Sequence, residues 1–316
     1  MRLVCPLLCL VVLGIYTPGC GTSDPAGGTG ADGGGGGGGD TPDGGGGGDG
    51  WQTLIQGSWS IPAGSEGYHC VRATVPEDMY ISEFRAIIPL GTHHTVLATD
   101  SAGGADGEFD CSANTLGDGA IFGSGVGTNS IAFPPGVAVK LSKGQQLLLN
   151  LHLFNISDSA LTGTSGTKIK TIPADQVEHE AEVVLMGNVF NLHIPPGEST
   201  QTGRCVMNGD VTLFAVNPHM HQLGTHMKVV AKSSVEGDVT MHDGDYDFEN
   251  QAIYPIDPMV QMKAGDEVDV YCTYNNTTGK TVSFGDSTLD EMCFGTTYRY
   301  PARGGQFGVI CDSGTL

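Results

Sequence analysis

Apolar and polar residues alternate in short bursts along most of this chain. Residues 146–155 show it best: Leu147, Leu149, Leu151 and Leu153 share one face, with Asn150 and His152 opposite them beside Leu148 and Phe154. A period of two is that of a β-strand, and an all-leucine face must be core. Residues 80–90, 181–190, 211–224, 227–231, 268–274, 281–284, 298–301 and 308–311 read as further strands between Gly, Pro and Asp punctuation. No long apolar stripe of period 3.6 occurs, so the fold class is all-β. Residues 103–130 are Gly-rich with little periodicity and read as loop. The weakly apolar stretch 168–177, with Pro173, divides the strands into two tandem antiparallel, jelly-roll-like β-sandwich domains, 51–173 and 174–316.

Composition adds a compartment. Residues 1–19 (Arg2, an apolar run, then small and turn residues) read as an export signal, too short for a membrane span. Thr17-Pro18-Gly19-Cys20 resembles a bacterial lipoprotein cleavage box, in which Cys20 would carry the lipid; ordinary secretion is the alternative. Residues 21–50 hold 17 glycines and five aspartates and too little apolar surface to fold. With Cys20 they read as a tether, 20–50, spanning roughly 30 Å as flexible coil. The expected location is exported, at a bacterial cell envelope or secreted, with membrane contact only through the lipid. The net charge of −21 leaves no basic surface for nucleic acid. Beyond the signal and Cys20, six cysteines remain (Cys70, Cys111, Cys205, Cys272, Cys293 and Cys311), an even number that suits three disulfides with the pairing left open.

Candidate chemistry lies in the histidines. His219 and His221, one residue apart at the end of a strand-like run, leave the same face, while Met220 points the other way. His93 and His94 are adjacent, so in a regular strand they diverge; sharing a metal requires a bend or ligation through Nδ1. His152 alone reads as a hydrogen-bonded core histidine, and Met292 alone as core filling.

Taken together, Tyr68-His69-Cys70, His93-His94, Leu151-His152, Ile194-Pro195-Pro196-Gly197, His219-x-His221-x-Leu223-Gly224 and Asp290-Glu291-Met292-Cys293 occur in an order that resembles the copper type II, ascorbate-dependent monooxygenases. This is the family of peptidylglycine α-hydroxylating monooxygenase and dopamine β-monooxygenase. The resemblance implies two coppers per chain facing a solvated interdomain cleft. One would be held by His93, His94 and His152 and stores an electron; the other, held by His219, His221 and Met292, is where O₂ is activated. A thioether favours Cu(I), which fits that second role. It further implies disulfides Cys70–Cys111, Cys205–Cys311 and Cys272–Cys293, and hydroxylation of a C–H bond with O₂ and a one-electron donor such as ascorbate. In the peptide-amidating members an arginine two residues before the HxH pair grips the substrate carboxylate, helped by an asparagine and a tyrosine after the Met-Cys pair. Here those positions are Asn217, Phe294 and Thr296, so a small, non-peptide, more apolar substrate is expected. Asn150 replaces a glutamine of the peptide-processing enzymes. The competing readings are a non-catalytic copper-binding envelope lipoprotein and a purely structural sandwich.

Overall fold

The computed structural model describes residues 50–115, 117–128, 130–285, 287–304 and 310–316. The expected export signal, Cys20 and residues 20–49 of the tether lie outside the described residues.

In chain order the first strands are β1 (Gln52–Ile61), β2 (Ser65–Thr74), β3 (Met79–Ile87), β4 (Thr92–Thr99) and β5 (Gly107–Asp110). They are followed by β6 (Gly119–Gly125), β7 (Ile131–Ala132), β8 (Val137–Leu141), β9 (Gln146–Asn155) and β10 (Leu161–Thr171). After a 3-10 turn at Ala174–Gln176 come β11 (His179–Glu180), β12 (Glu182–Gly187), β13 (His193–Ile194), β14 (Gly197–Val206), β15 (Val211–His219) and β16 (Gly224–Ser233). The chain ends with β17 (Gly237–Asp245), β18 (Tyr254–Met262), β19 (Glu267–Asn276), β20 (Val282–Ser283), β21 (Phe294–Tyr300) and β22 (Ile310–Cys311).

Strands β1 to β10 fill two sheets, ordered β1-β10-β3-β8 and β5-β2-β9-β4-β6. β12 to β22 fill the others, chiefly β18-β15-β21-β12-β22 and β14-β19-β16-β17. Pairing is antiparallel except β11 on β8 and β22 on β12. Through β11, the second half adds an edge to a first-half sheet. The first core, built on Phe84, Phe122 and the leucines of β9, continues into Phe214, Ala215, Ile253 and Tyr298 of the second half. An apolar seam therefore joins the halves, and the described residues form one compact unit.

The leucine face of β9 is buried as its period requires, and Leu148, Asn150 and His152 on the other face are buried too. Residues 103–130, expected to be loop, contain β5 and β6. β6 is mostly small residues with no alternation to read; its place is set by backbone pairing along β4, where Gly125 lies opposite His94. Disulfides join Cys70 to Cys111, Cys205 to Cys311 and Cys272 to Cys293, the pairs that the resemblance implies. Such bonds require an oxidising compartment to form and persist. Among the described residues no helix is long and apolar enough to cross a membrane.

Candidate metal centre

His152 stands in the middle of β9 and pairs across with Tyr68 of β2 and His94 of β4. The ladder slips between Thr92 and His94, a bulge that leaves His93 as the extra residue. A bulge breaks strict alternation, and this is how two adjacent histidines come to face the same way. The ligand atoms of His93, His94 and His152 all lie within 4.8 Å of one another. His94 Nδ1 is 3.2 Å from His93 Nδ1 and 3.2 Å from His152 Nδ1.

Protons cannot account for that convergence. His152 Nε2 lies 2.6 Å from Glu66 Oε1, which assigns its proton to Nε2 and leaves Nδ1 as a lone pair. The imidazole also stacks on Tyr68, with centroids 4.6 Å apart and planes 7° from parallel. His93 Nε2 is buried without a hydrogen-bond partner; Glu249 Oε1 is 4.0 Å away, beyond bonding distance. Separations of 3.2 Å are of the size that two imidazole nitrogens would take on one metal ion, which binds each at roughly 2.0–2.1 Å, so these three residues could hold one. Burial pushes the His93 pKa down to about 4 and that of His94 well below the ordinary value, with the neighbouring histidines adding repulsion. Burial also lowers His152, against the opposing pull of Glu66. Neutral imidazoles with free lone pairs are what a metal requires.

His219 closes β15 and His221 follows two residues on, their rings 5.4 Å apart and perpendicular, while Met220 is buried in the second core. His219 Nδ1 donates to Gln251 Oε1 at 2.9 Å, and the Gln251 amide is oriented by its bond to the Phe248 carbonyl. His221 Nδ1 donates to the Asp290 carbonyl at 3.1 Å. Both histidines therefore offer Nε2. Burial lowers the pKa of each, that of His221 to about 3.

Met292 is half-buried, belongs to neither core, and lines the cavity that His94, His219 and His221 also line. Its backbone is held from three directions. The Met292 N–H donates to Glu291 Oε2 at 3.3 Å, its carbonyl accepts from Tyr274 Oη at 2.7 Å, and the next residue is the bridged Cys293. The Glu291 carboxylate, fully buried, also accepts the N–H groups of His221 and Leu223 at 2.8 and 2.7 Å. Burial raises its pKa to about 7 against those bonds. This side chain ties the HxH turn to the methionine.

The shared cavity measures about 340 Å³. Val183, Leu185, Phe284, Phe294 and Ile310 supply apolar wall, and Asn217 and Thr296 also line it. Among the described residues its lining contains no lysine or arginine; Asp118, at an exposed rim, is its acidic member. Asn150 lines it too, but its amide is engaged by the Ser112 and Thr115 carbonyls, so it steadies the loop beyond Cys111. His69, His179, His193, His226 and His242 lie apart and are accounted for locally, by Glu108, Tyr300, Ser283, Asp243 and Tyr254 respectively.

Glu66, Phe248 and Gln251 carry no sequence signal. Phe248 and Gln251 sit between β17 and β18, yet this segment crosses to the first half. The Phe248 ring lies 4.3 Å from that of His93 and 6.2 Å from that of His221. The Gln251 N–H donates to Val126, and the Gln251 carbonyl accepts from Thr128. The two donor sets thus share a roof.

Residues 179–307 match the family model described as copper type II ascorbate-dependent monooxygenase, C-terminal domain. The chain is 28% identical over 200 residues to the human putative DBH-like monooxygenase protein 2, covering 57% of this chain and 40% of that protein. It is 26% identical over 248 residues to peptidyl-glycine alpha-amidating monooxygenase A of Xenopus laevis, covering 73% and 26% respectively. The mouse DBH-like monooxygenase protein 2 is 27% identical over 201 residues, 57% of this chain and 32% of the relative. The chain thus spans well under half the length of these relatives.

Proposed function

Because this chain belongs to the copper type II ascorbate-dependent monooxygenase family, we propose that it hydroxylates a C–H bond of a small, non-peptide substrate, using O₂ and a one-electron donor such as ascorbate. In this reading His93, His94 and His152 hold one copper and His219, His221 and Met292 a second. Two observations support the fit: the closely spaced Nδ1 atoms of His93, His94 and His152, which protons cannot all reconcile, and a mixed imidazole–thioether donor set that suits copper better than zinc, magnesium or calcium. Copper, when bound, supplies the one-electron steps and the activation of O₂. The protein supplies orientation. Glu66, Gln251 and the Asp290 carbonyl each take one imidazole proton and so fix which nitrogen is free.

The reading includes the two sandwich domains, 51–173 and 174–316, supported by the separation of the sheets, and a lipid on Cys20 at a bacterial envelope. The substrate follows from the walls. With Asn217, Phe294 and Thr296 lining the cavity and no cation among its lining, a substrate carboxylate finds no charged partner. An apolar or aromatic molecule of modest size fits better.

The observation that carries the proposal is that His94, next to His93 and His152, lines one cavity together with His219, His221 and Met292. Elemental analysis of the full-length protein should give two coppers per chain, with O₂ consumption that depends on both ascorbate and a C–H substrate. Absence of stoichiometric copper sinks it. Copper without substrate-dependent O₂ uptake would favour a non-catalytic copper binder. Tight binding of glycine-extended peptides would overturn the substrate class alone.

A further inference from the structure

Glu66 lies in β2 two residues before Tyr68, so the strand period turns both side chains toward the face that carries His152. Its Oε1 lies 2.6 Å from His152 Nε2 and also accepts from Thr288 Oγ1 at 3.3 Å. Thr288 belongs to the other half of the molecule, 222 residues along the chain. The segment that starts beside it is short and internally bonded. The N–H groups of Leu289 and Asp290 turn back onto Ser287. The Asp290 carbonyl accepts from His221, and Met292 follows two residues later. One carboxylate oxygen therefore touches a donor of the first set and the segment that supports two donors of the second.

We propose that Glu66 is a positioning residue that fixes His152 as an Nδ1 donor and clasps residues 287–292, so that the first donor set and the segment that carries Met292 are held together. This rests on the copper reading above. His152 is fully buried, so without Glu66 its Nε2–H loses its acceptor and the ring loses the bond that selects its tautomer. Glu66 itself is 37% exposed, so its removal leaves no cavity in either core.

The test uses the full-length protein, Cu(I) affinity by competition with a chromogenic chelator, and the Cu(II) electron paramagnetic resonance signal. A His219→Ala background isolates the first copper and a His152→Ala background the second. In the first, Glu66→Ala should weaken copper by about 10–100-fold and alter the signal, as loss of a ligand-orienting partner does elsewhere. Glu66→Gln, which keeps an acceptor oxygen, should restore most of it. Thr288→Val should leave the first copper unchanged and shift the signal of the second. Unchanged affinity and signal in Glu66→Ala, with wild type binding two coppers, would overturn the clasp alone. Equal losses in the Ala and Gln variants together with a lower apo melting temperature would make Glu66 merely structural and overturn it as well. A wild type that binds no copper would overturn the copper reading and the clasp together.

Discussion

β9 is entered through Gly144 (φ 82°) and left through Asn155; β19 is entered through Gly265 (φ 89°) and left through Asn276. The buried Asn155 amide donates to the Pro62 and Ser159 carbonyls while its oxygen accepts from Ser157; Asn276 does the same with Ile194, Lys280 and Thr278. The neighbouring strands match as well. β4 slips past β9 between Thr92 and His94, and β16 slips past β19 between Gly224 and His226. By register, then, His226 occupies the place of His94 and Thr273 that of His152. One framework occurs twice, but these places hold a histidine cluster only once. His226 pairs with Asp243 on a half-open face, whereas the first-half cluster is roofed by Phe248 and the Gln251 segment of the other half. Strand geometry brings side chains together; burial by a partner surface turns them into neutral, unsatisfied donors.

Activity gives the largest test of that contrast. Met292→Ile should reduce ascorbate-driven turnover to background while most copper stays bound, because all five remaining donors, His93, His94, His152, His219 and His221, are imidazoles that the change does not touch; O₂ uptake measured beside copper content checks this. Next comes stoichiometry. His152→Ala should take copper from two per chain to one, while His226→Ala at the equivalent place should leave two; loss in both would mean that the halves do not differ as described.

Stability against pH is the third. The pKa of His93 lies down at about 4 and that of His221 at about 3, with His94, His152 and His219 also lowered, all chiefly by burial. Between about pH 4 and 6.5 these histidines therefore bind more protons in the unfolded chain than in the folded one, opposed by the single carboxyl of Glu291, which burial raises to about 7. The histidine contribution to apo-protein stability should be flat above about pH 6.5 and fall as pH drops toward 4, by about 1.4 kcal/mol per pH unit for each histidine involved, with Glu291 offsetting one of them. Melting temperatures of apo and copper-loaded protein should diverge over this window. A flat apo profile would contradict the buried, neutral cluster. Smallest and most symmetrical, Asn155→Ala and Asn276→Ala should each cost about 1–3 kcal/mol in denaturant melts, the range for stranding buried polar partners. Markedly unequal losses would weaken the repeat.

Much of this was legible in the chain itself. The two-residue period of β9 gave the strand and its leucine face, and the spacing of His219 and His221 placed them together with Met220 turned into the core. The resemblance implied six donors and three disulfides. Other features had no local signature. Nothing in Gly119–Gly125 alternates, so β6 was invisible until β4 gave it a partner. The bulge at His93 depends on how β4 meets β9. Glu66, Phe248 and Gln251 look like ordinary surface residues because their partners lie far along the chain.

Residue identity and local period, then, determined which segments extend, which faces are apolar, and which side chains can donate to a soft metal. Those are properties of a few neighbouring residues, set by backbone sterics and solvation. Only the tertiary structure decided that His94, His219, His221 and Met292 line the same cavity, that one carboxylate reaches both His152 and Thr288, and that an otherwise equivalent face stays open to water. Those outcomes depend on packing between halves that are distant in sequence, and no local pattern encodes that packing.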